Sequence, residues 1–228
     1  MANQQHLDIL QSGITAWNQW RETNPDVVPD LSRANFSGAN LSSANLSNAN
    51  LIWSDLSGAD LSAADLRSAN LTLANLERTN LSSANLSKAY LLWAKLDSAD
   101  LTNAILIWAS LREADLSAAT CANVNFTGAD LGKVIFTTTD LSKAYLGRAG
   151  LCEANLNDAI LIEADLRGAD LTDANLKGAD FKGADLRFAY YGYNQEKNYQ
   201  LLVSSVYLAW LGANFDHETK FEELQPAA

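Results

Sequence analysis

The fold of this chain is decided by residues 39–46, Ala-Asn-Leu-Ser-Ser-Ala-Asn-Leu, because their five-residue rhythm continues without a break through most of the sequence. From residue 31 to residue 186 every fifth position is Leu or Phe, 32 positions in all, with Cys121 as the exception. The site three residues after each of them is Ala in 27 of 32 repeats, and the residue before each is usually Asn or Asp. Everything outside this array is short.

A period of five fits neither regular structure. In an α-helix five residues advance about 500°, so the leucines would spread around the axis. In a straight strand an odd spacing sends successive leucines to opposite faces. The pattern therefore predicts a solenoid that bends once per repeat, with Leu and Ala pointing inward. Gly38, Gly58 and Asn48 stand at the second site after Leu, where a type II turn needs positive φ, so the bend follows each Leu.

The motif Ala-(Asn/Asp)-Leu-X-X, as in residues 59–63, resembles the pentapeptide repeat family, and the resemblance covers residues 31–190. It implies an all-β solenoid, a right-handed quadrilateral parallel β-helix with four repeats per coil. The residues alone leave a 15-residue coil open, and the 20-residue coil is taken from the resemblance. Thirty-two repeats then make about eight coils, a rod of roughly 38 Å at about 4.8 Å per coil.

We predict three parts: residues 1–30, 31–190 and 191–228. In the first part, residues 5–23 are predicted to form an amphipathic helix with Leu10, Ile14 and Trp17 on one face. Pro25 and Pro29 end it. A cap over the open end of the first coil is favoured over a helix that docks a partner, because a stacked array leaves its end backbone unpaired.

The last part is predicted to hold a helix at about 195–210, followed by a final partial turn at residues 213–215 that is out of phase with the array. Short α-helical caps would then close both ends. The alternative is a dimerisation helix, which topoisomerase-inhibiting members of the family possess in this region. We favour a capped monomer, with a homodimer through this segment as the rival. The candidate cap or dimer residues are Tyr199, Leu202, Val203, Val206 and Trp210.

Composition limits the class of function. The net charge of −11 argues against direct binding of nucleic acid, which needs a basic face. We expect no membrane span, because no apolar run approaches 18–20 residues. The N-terminus has no secretory signal pattern, so we expect a cytoplasmic protein.

Catalytic features are scarce in the sequence. The two histidines, His6 and His217, fall in opposite terminal segments and cannot act together. Cys121 occupies an inward Leu site and Cys152 an outward site, so they cannot form a disulfide. We expect no metal, no cofactor and no enzymatic activity.

Large apolar residues at outward sites, where the array otherwise holds Ser or Thr, form the candidate surface for an unidentified protein partner. We interpret the chain as a non-enzymatic interaction scaffold or regulator. A DNA-mimicking modulator of a type II topoisomerase such as gyrase, which the resemblance suggests through the alternating acidic column 60–180, is the alternative, and a structural protein without a specific partner is the second. The candidate surface is Ile52, Trp53, Leu73, Tyr90, Leu92, Trp93, Ile107 and Trp108.

Overall fold

In the computed structural model, which describes residues 2–194 and 199–222, the array winds as a solenoid with 20 residues per coil. Parallel bridges join each Asn/Asp site to the site 20 residues further on, from Asp30–Asn50 to Asp170–Tyr190. Four repeats therefore make one coil, and residues 20 apart stack in a column. The coil length that was taken from the resemblance is confirmed.

One repeat, residues 60–64, shows how the backbone is satisfied. The amides of its Asp, its Leu and its second turn residue donate to carbonyls of the neighbouring coils at 2.7–2.9 Å. The amide of the first turn residue donates to the Asp60 carboxylate at 3.0 Å, and the Ala64 amide closes the turn onto the Leu61 carbonyl at 3.0 Å. The side-chain oxygen at the Asn/Asp site, Asp60 in this repeat, therefore accepts the one amide hydrogen that no backbone carbonyl reaches.

Corners lie at the two residues after each Leu, as the sequence predicted. The second turn residue has positive φ throughout, including 26 residues that are not Gly, with φ between 54° and 63°. A type II turn requires this conformation at its second central position. An L-residue pays about 1 kcal/mol or more to adopt it, so each corner stores a small strain that the intercoil hydrogen bonds offset.

The Leu and Ala sites fill the axis and are almost all fully buried. Cys121 points inward with them and is buried. Where Thr79 replaces Ala, its hydroxyl donates to the Leu56 carbonyl at 2.7 Å, so the polar group carries no desolvation penalty. The interior is thus a packed column without a channel.

The N-terminal segment forms two helices, α1 (Gln4–Gln11) and α2 (Ile14–Thr23), so the prediction of one helix over 5–23 is wrong. Gly13, with φ of 117°, breaks the chain direction between them. Trp17 of α2 is fully buried against the first coil, and its indole donates to the Asn45 carbonyl at 2.8 Å. The Asn18 side chain accepts the Asn45 amide at 2.8 Å. Side chains of α2 thus supply bonds that a preceding coil would make.

After the array, β1 (Tyr190–Asn194) pairs antiparallel with β2 (Tyr199–Leu202), and α3 spans Ser205–Trp210. The predicted helix over 195–210 is therefore wrong over 199–202, where the chain forms a strand, and residues 195–198 lie outside the described residues. Aromatic and aliphatic residues that recur at mixed spacings of three and one fit a strand as well as a helix face. The helix begins later, where the Ser204 hydroxyl accepts the Tyr207 amide.

The chain then returns to the solenoid. Asn214 bridges Asp180 and Lys220 bridges Asp185, so the predicted final partial turn is confirmed. Val203 and Leu208 are buried against the last coil. The side chains of Tyr199, Val206 and Trp210, which were assigned to a cap or dimer face, lie outside the described residues.

Candidate partner-binding surface

The candidate surface occupies two adjacent corners and the face between them. The Trp93 corner carries Trp53, Leu73 and Trp93 one above another at the second turn site, because their numbers differ by 20. The next corner back along the chain, the Trp108 corner, carries Ile107 and Trp108. Tyr90 stands at the Asn/Asp site on the intervening face. The three tryptophans and Tyr90 are 47–61% exposed, whereas the four aliphatic members are half-buried beside them.

Each tryptophan on these corners sits in the left-handed region of φ, at 60° for Trp53, 55° for Trp93 and 58° for Trp108. Gly and Asn, which adopt this conformation most easily, occupy the site in some repeats, and small or charged residues such as Ser43 and Lys88 occupy it in most others. Here the chain places its largest side chains there instead, and leaves about half of each in water. Neither burial nor backbone preference explains the choice.

Two of the rings have defined supports. The Trp93 indole donates to the Glu113 carboxylate at 2.9 Å, one coil further on. The Trp108 ring lies over Gly128, where an added Cβ would come within 2.6–2.8 Å of three ring atoms. These two rings are therefore held in place, which lowers the entropy cost of binding a partner through them.

The sequence interpretation missed three exposed apolar side chains that extend this surface around the Trp108 corner. Ile105 is 36% exposed, Tyr145 52% and Phe188 57%. Tracing the column of Trp108 in steps of 20 would have found Phe188. Tyr145 and Ile105 replace Asn or Asp on the far face, and that departure from the motif was the available signal.

A groove of about 650 Å³ runs along the Trp108 corner. Trp108 stands at one end and Phe188 at the other, Tyr145 forms one wall, and Arg148 and Arg167 line the middle. Arg167 donates twice to the Asp165 carboxylate at 2.6 and 2.8 Å. That pairing holds the pKa of Asp165 below its ordinary value. The groove therefore combines aromatic walls with two cations and one carboxylate, Asp165, which is paired with Arg167.

The family model for pentapeptide repeats matches eight copies over residues 30–62, 59–96, 104–142, 119–158 and 151–187. The chain belongs to the pentapeptide repeat family. Its right-handed quadrilateral β-helix, predicted from the sequence, is confirmed. Comparison with curated proteins finds no match.

Solved structures of other pentapeptide repeat proteins are similar to the chain. HetL from Nostoc sp. strain PCC 7120, involved in regulation of heterocyst differentiation, is 29% identical over 89% of this chain and 92% of its own, with a TM-score of 0.42. Rfr23 from Cyanothece 51142 is 29% identical over 47% and 64%, with a TM-score of 0.38. QnrB1, a plasmid-mediated fluoroquinolone resistance protein, is 20% identical over 82% of each chain, with a TM-score of 0.35.

The acidic column of this pentapeptide repeat protein is stacked as predicted, from Asp60 through Asn80, Asp100, Thr120 and Asp140. The Asn80 side-chain amide donates to the Asp60 carboxylate at 3.0 Å, so this neutral residue separates the charges of the column and also bonds to one of them. Hydrogen bonds from the Ser62 amide and hydroxyl keep the pKa of Asp60 below its ordinary value. The hydrogen bonds that Asp60 accepts in its turn therefore explain why an acidic residue stands at this position.

Among residues 2–194 and 199–222, no cluster of His, Cys, Asp or Glu could hold a metal ion. No helix within the same ranges is long and apolar enough to cross a membrane. His6 accepts the Asp30 amide at the first coil, far from His217 in the last turn. Burial raises the pKa of the Cys121 thiol, and Cys152 is half-buried on the outside.

Proposed function

We propose that this protein is a non-enzymatic scaffold or regulator that presents a rigid β-helix surface to a protein partner, in the cytoplasm and as a monomer. The observation that carries the proposal is the set of tryptophans at strained, exposed corners. These turn sites carry the same positive φ with Ser, Lys or Arg elsewhere in the array, so the backbone does not require Trp. About half of each tryptophan ring remains in water, so the fold itself gains only part of the burial energy that a tryptophan offers.

A partner would bury the half of each tryptophan ring that the fold leaves in water. Aromatic side chains bury 150–250 Å² each and dominate interface energetics, so half of a tryptophan ring still offers a strong anchor. The half-buried Ile52, Leu73, Leu92 and Ile107 fill the spaces around the rings and would exclude water from them. Within the described residues, Leu and Ala fill the axis of the array and the groove is open to solvent, which supports binding over catalysis.

The alternative is mimicry of DNA toward a type II topoisomerase. Mimicry needs a continuous acidic face, but the array carries 18 acidic against 13 basic residues, a net of −5. The column that begins at Asp60 places a neutral residue between its carboxylates. The second alternative, a structural protein without a partner, does not explain why three large apolar side chains are exposed on two adjacent corners. The scaffold is therefore favoured over both.

The test compares three immobilised proteins in an extract of the native cells: the wild type, the double variant Trp93→Ser/Trp108→Ser, and the control Asn103→Ser/Asn123→Ser. The control changes the same turn site, at φ of 59° and 56°, on another corner. Bound proteins are quantified by mass spectrometry at physiological and at raised salt. Circular dichroism checks that all three keep the fold, which we expect because Ser already occupies this turn site in other coils.

We expect at least one protein to be retained by the wild type and the control, at both salt concentrations, and lost by the tryptophan double variant. Identical capture by all three would contradict the proposal and favour the structural protein. Capture that collapses at raised salt and ignores the tryptophans would favour mimicry of DNA.

A further inference from the structure

The second turn site of the Trp108 corner alternates between a large side chain and glycine. Its residues read Trp108, Gly128, Arg148, Gly168 and Phe188 in successive coils. The Trp108 ring covers Gly128, and the Arg148 Cγ lies 3.7 Å from where a Cβ of Gly168 would stand. Each large side chain thus lies along the corner over the glycine that follows. The result is a stripe of aromatic, cation and aromatic groups about 9.6 Å apart, two coil spacings each.

The length of this stripe matches that of a short extended peptide. Trp108 and Phe188 are four coil steps apart, which is about 19 Å at about 4.8 Å per coil. An extended peptide of about six residues spans the same distance at about 3.3 Å per residue. The groove between them encloses about 650 Å³ and is open along one side, as a bound extended chain requires. Its direction is parallel to the solenoid axis, so a peptide there would bind through side chains rather than by strand addition.

Charge sets the chemistry of the occupant. The sixteen turn residues of the Trp108 corner, from 47 to 188, include five cations and no acid, in a chain of net charge −11. Three of these arginines pair with an aspartate two residues earlier, as Arg167 does with Asp165. Arg148 has no such neighbour, since Leu146 precedes it by two, and no ion pair of Arg148 is found among the described residues. It is the cation at the middle of the stripe that an acidic ligand would meet.

We propose that the groove binds an extended segment of a protein partner, with a central Asp or Glu on Arg148 and apolar residues on Trp108 and Phe188. The inference rests on the proposed function, because it names the chemistry of the partner that function requires. Single-stranded nucleic acid also combines stacking with cation contacts. The strongly negative whole-molecule field repels a polyanion. A short segment with one carboxylate can instead meet Arg148, because the other two charges that line the groove, Arg167 and Asp165, pair with each other.

The experiment selects a random peptide library displayed on phage against the full-length protein and measures the affinity of the enriched peptides by fluorescence anisotropy. We expect peptides with a central acidic residue flanked, about three positions away on each side, by aromatic or aliphatic residues. Arg148→Glu should weaken their binding at least about tenfold, the loss of one charge-assisted contact. Arg78→Glu, at the same turn site on another corner with φ of 55°, should leave binding unchanged.

A further variant, Gly128→Ala, keeps every groove side chain but must displace the Trp108 ring. It should weaken the same peptides while leaving the circular dichroism spectrum unchanged, because non-glycine residues hold this φ at 26 other sites. Enriched peptides without an acidic residue, or peptides that ignore Arg148→Glu, would overturn the groove assignment. Binding of a single-stranded thymidine oligonucleotide that Arg148→Glu abolishes would overturn it in favour of nucleic acid.

The two proposals can fail separately. If the selected peptides depend on Trp93 but not on Arg148, the scaffold stands and the groove assignment falls. If peptides satisfy the groove prediction while capture from the extract ignores the Trp93 and Trp108 double variant, the acidic-segment site stands and the broader tryptophan surface falls.

Discussion

Replacing Trp17 tests whether α2 acts as the missing neighbour of the first coil. Trp17→Ala removes a fully buried ring and should lower the free energy of unfolding by about 3–5 kcal/mol, the usual cost of truncating a buried tryptophan. Trp17→Phe keeps most of the apolar contact but leaves the Asn45 carbonyl without its 2.8 Å donor. That variant should cost about 1–3 kcal/mol. Equilibrium unfolding in urea measures both.

The position at which the variant opens is a sharper test than the size of its loss in unfolding free energy. In a solenoid each coil contacts only its neighbours, so damage at the end should stay at the end. Hydrogen exchange should quicken at Asn45, whose amide bonds to Asn18, while Leu101, bonded to the next coil at 2.7 Å, remains protected. Gln19→Ala, an exposed change in the same helix, is the control. Unchanged exchange at Asn45 in Trp17→Ala, or equal loss at Leu101, would refute the reasoning.

Three further predictions follow from the turns, the thiols and the terminal segment. Hydrogen bonds to the Asp60 carboxylate lower its folded pKa below the unfolded value, so its stabilisation is present above about pH 4 and is lost as pH falls through the folded pKa. Asp60→Asn keeps the acceptor, and thermal melts should show equal Tm at pH 7 but a smaller loss in acid. A maleimide dye should label Cys152 in the folded protein and Cys121 only in denaturant, because Cys121 is fully buried. Rapid labelling of both cysteines in the folded protein would contradict this packing. Trp210→Lys should misfold if the segment is a cap, whereas sedimentation of a folded monomer from a wild-type dimer would show a dimer helix.

The array could be predicted from sequence because every repeat meets the same local structural requirements. Leu61 must be inward, the residue after Ser62 must accept positive φ, and the Asp60 oxygen must reach an amide that no other group satisfies. The sequence indicated the first two. The third shows in the sequence only as a preference for Asn or Asp, because a local side-chain hydrogen bond produces no hydrophobic periodicity.

The ends and the groove were harder because their structure depends on non-local contacts. Tyr199 and Leu202 become a strand by pairing with Asn194 and Tyr190, which no local pattern specifies. On the surface, the sequence located the Trp93 column correctly, yet it could not show that the Trp108 ring turns toward Gly128. That direction links Trp108 to Phe188 and converts scattered apolar residues into one groove.

Because one coil holds 20 residues, the number of residues between two sites determines the angle between them about the solenoid axis. Inserting one whole coil between Trp93 and Trp108 would lengthen the rod and leave both on their present corners. Inserting a single five-residue repeat would keep the fold but rotate everything downstream by a quarter turn, carrying Trp108 onto the Trp93 corner and the whole groove with it. The number of repeats between two corners therefore fixes the angle between them, and an insertion of one repeat changes that angle while each inward site still stacks on an inward site.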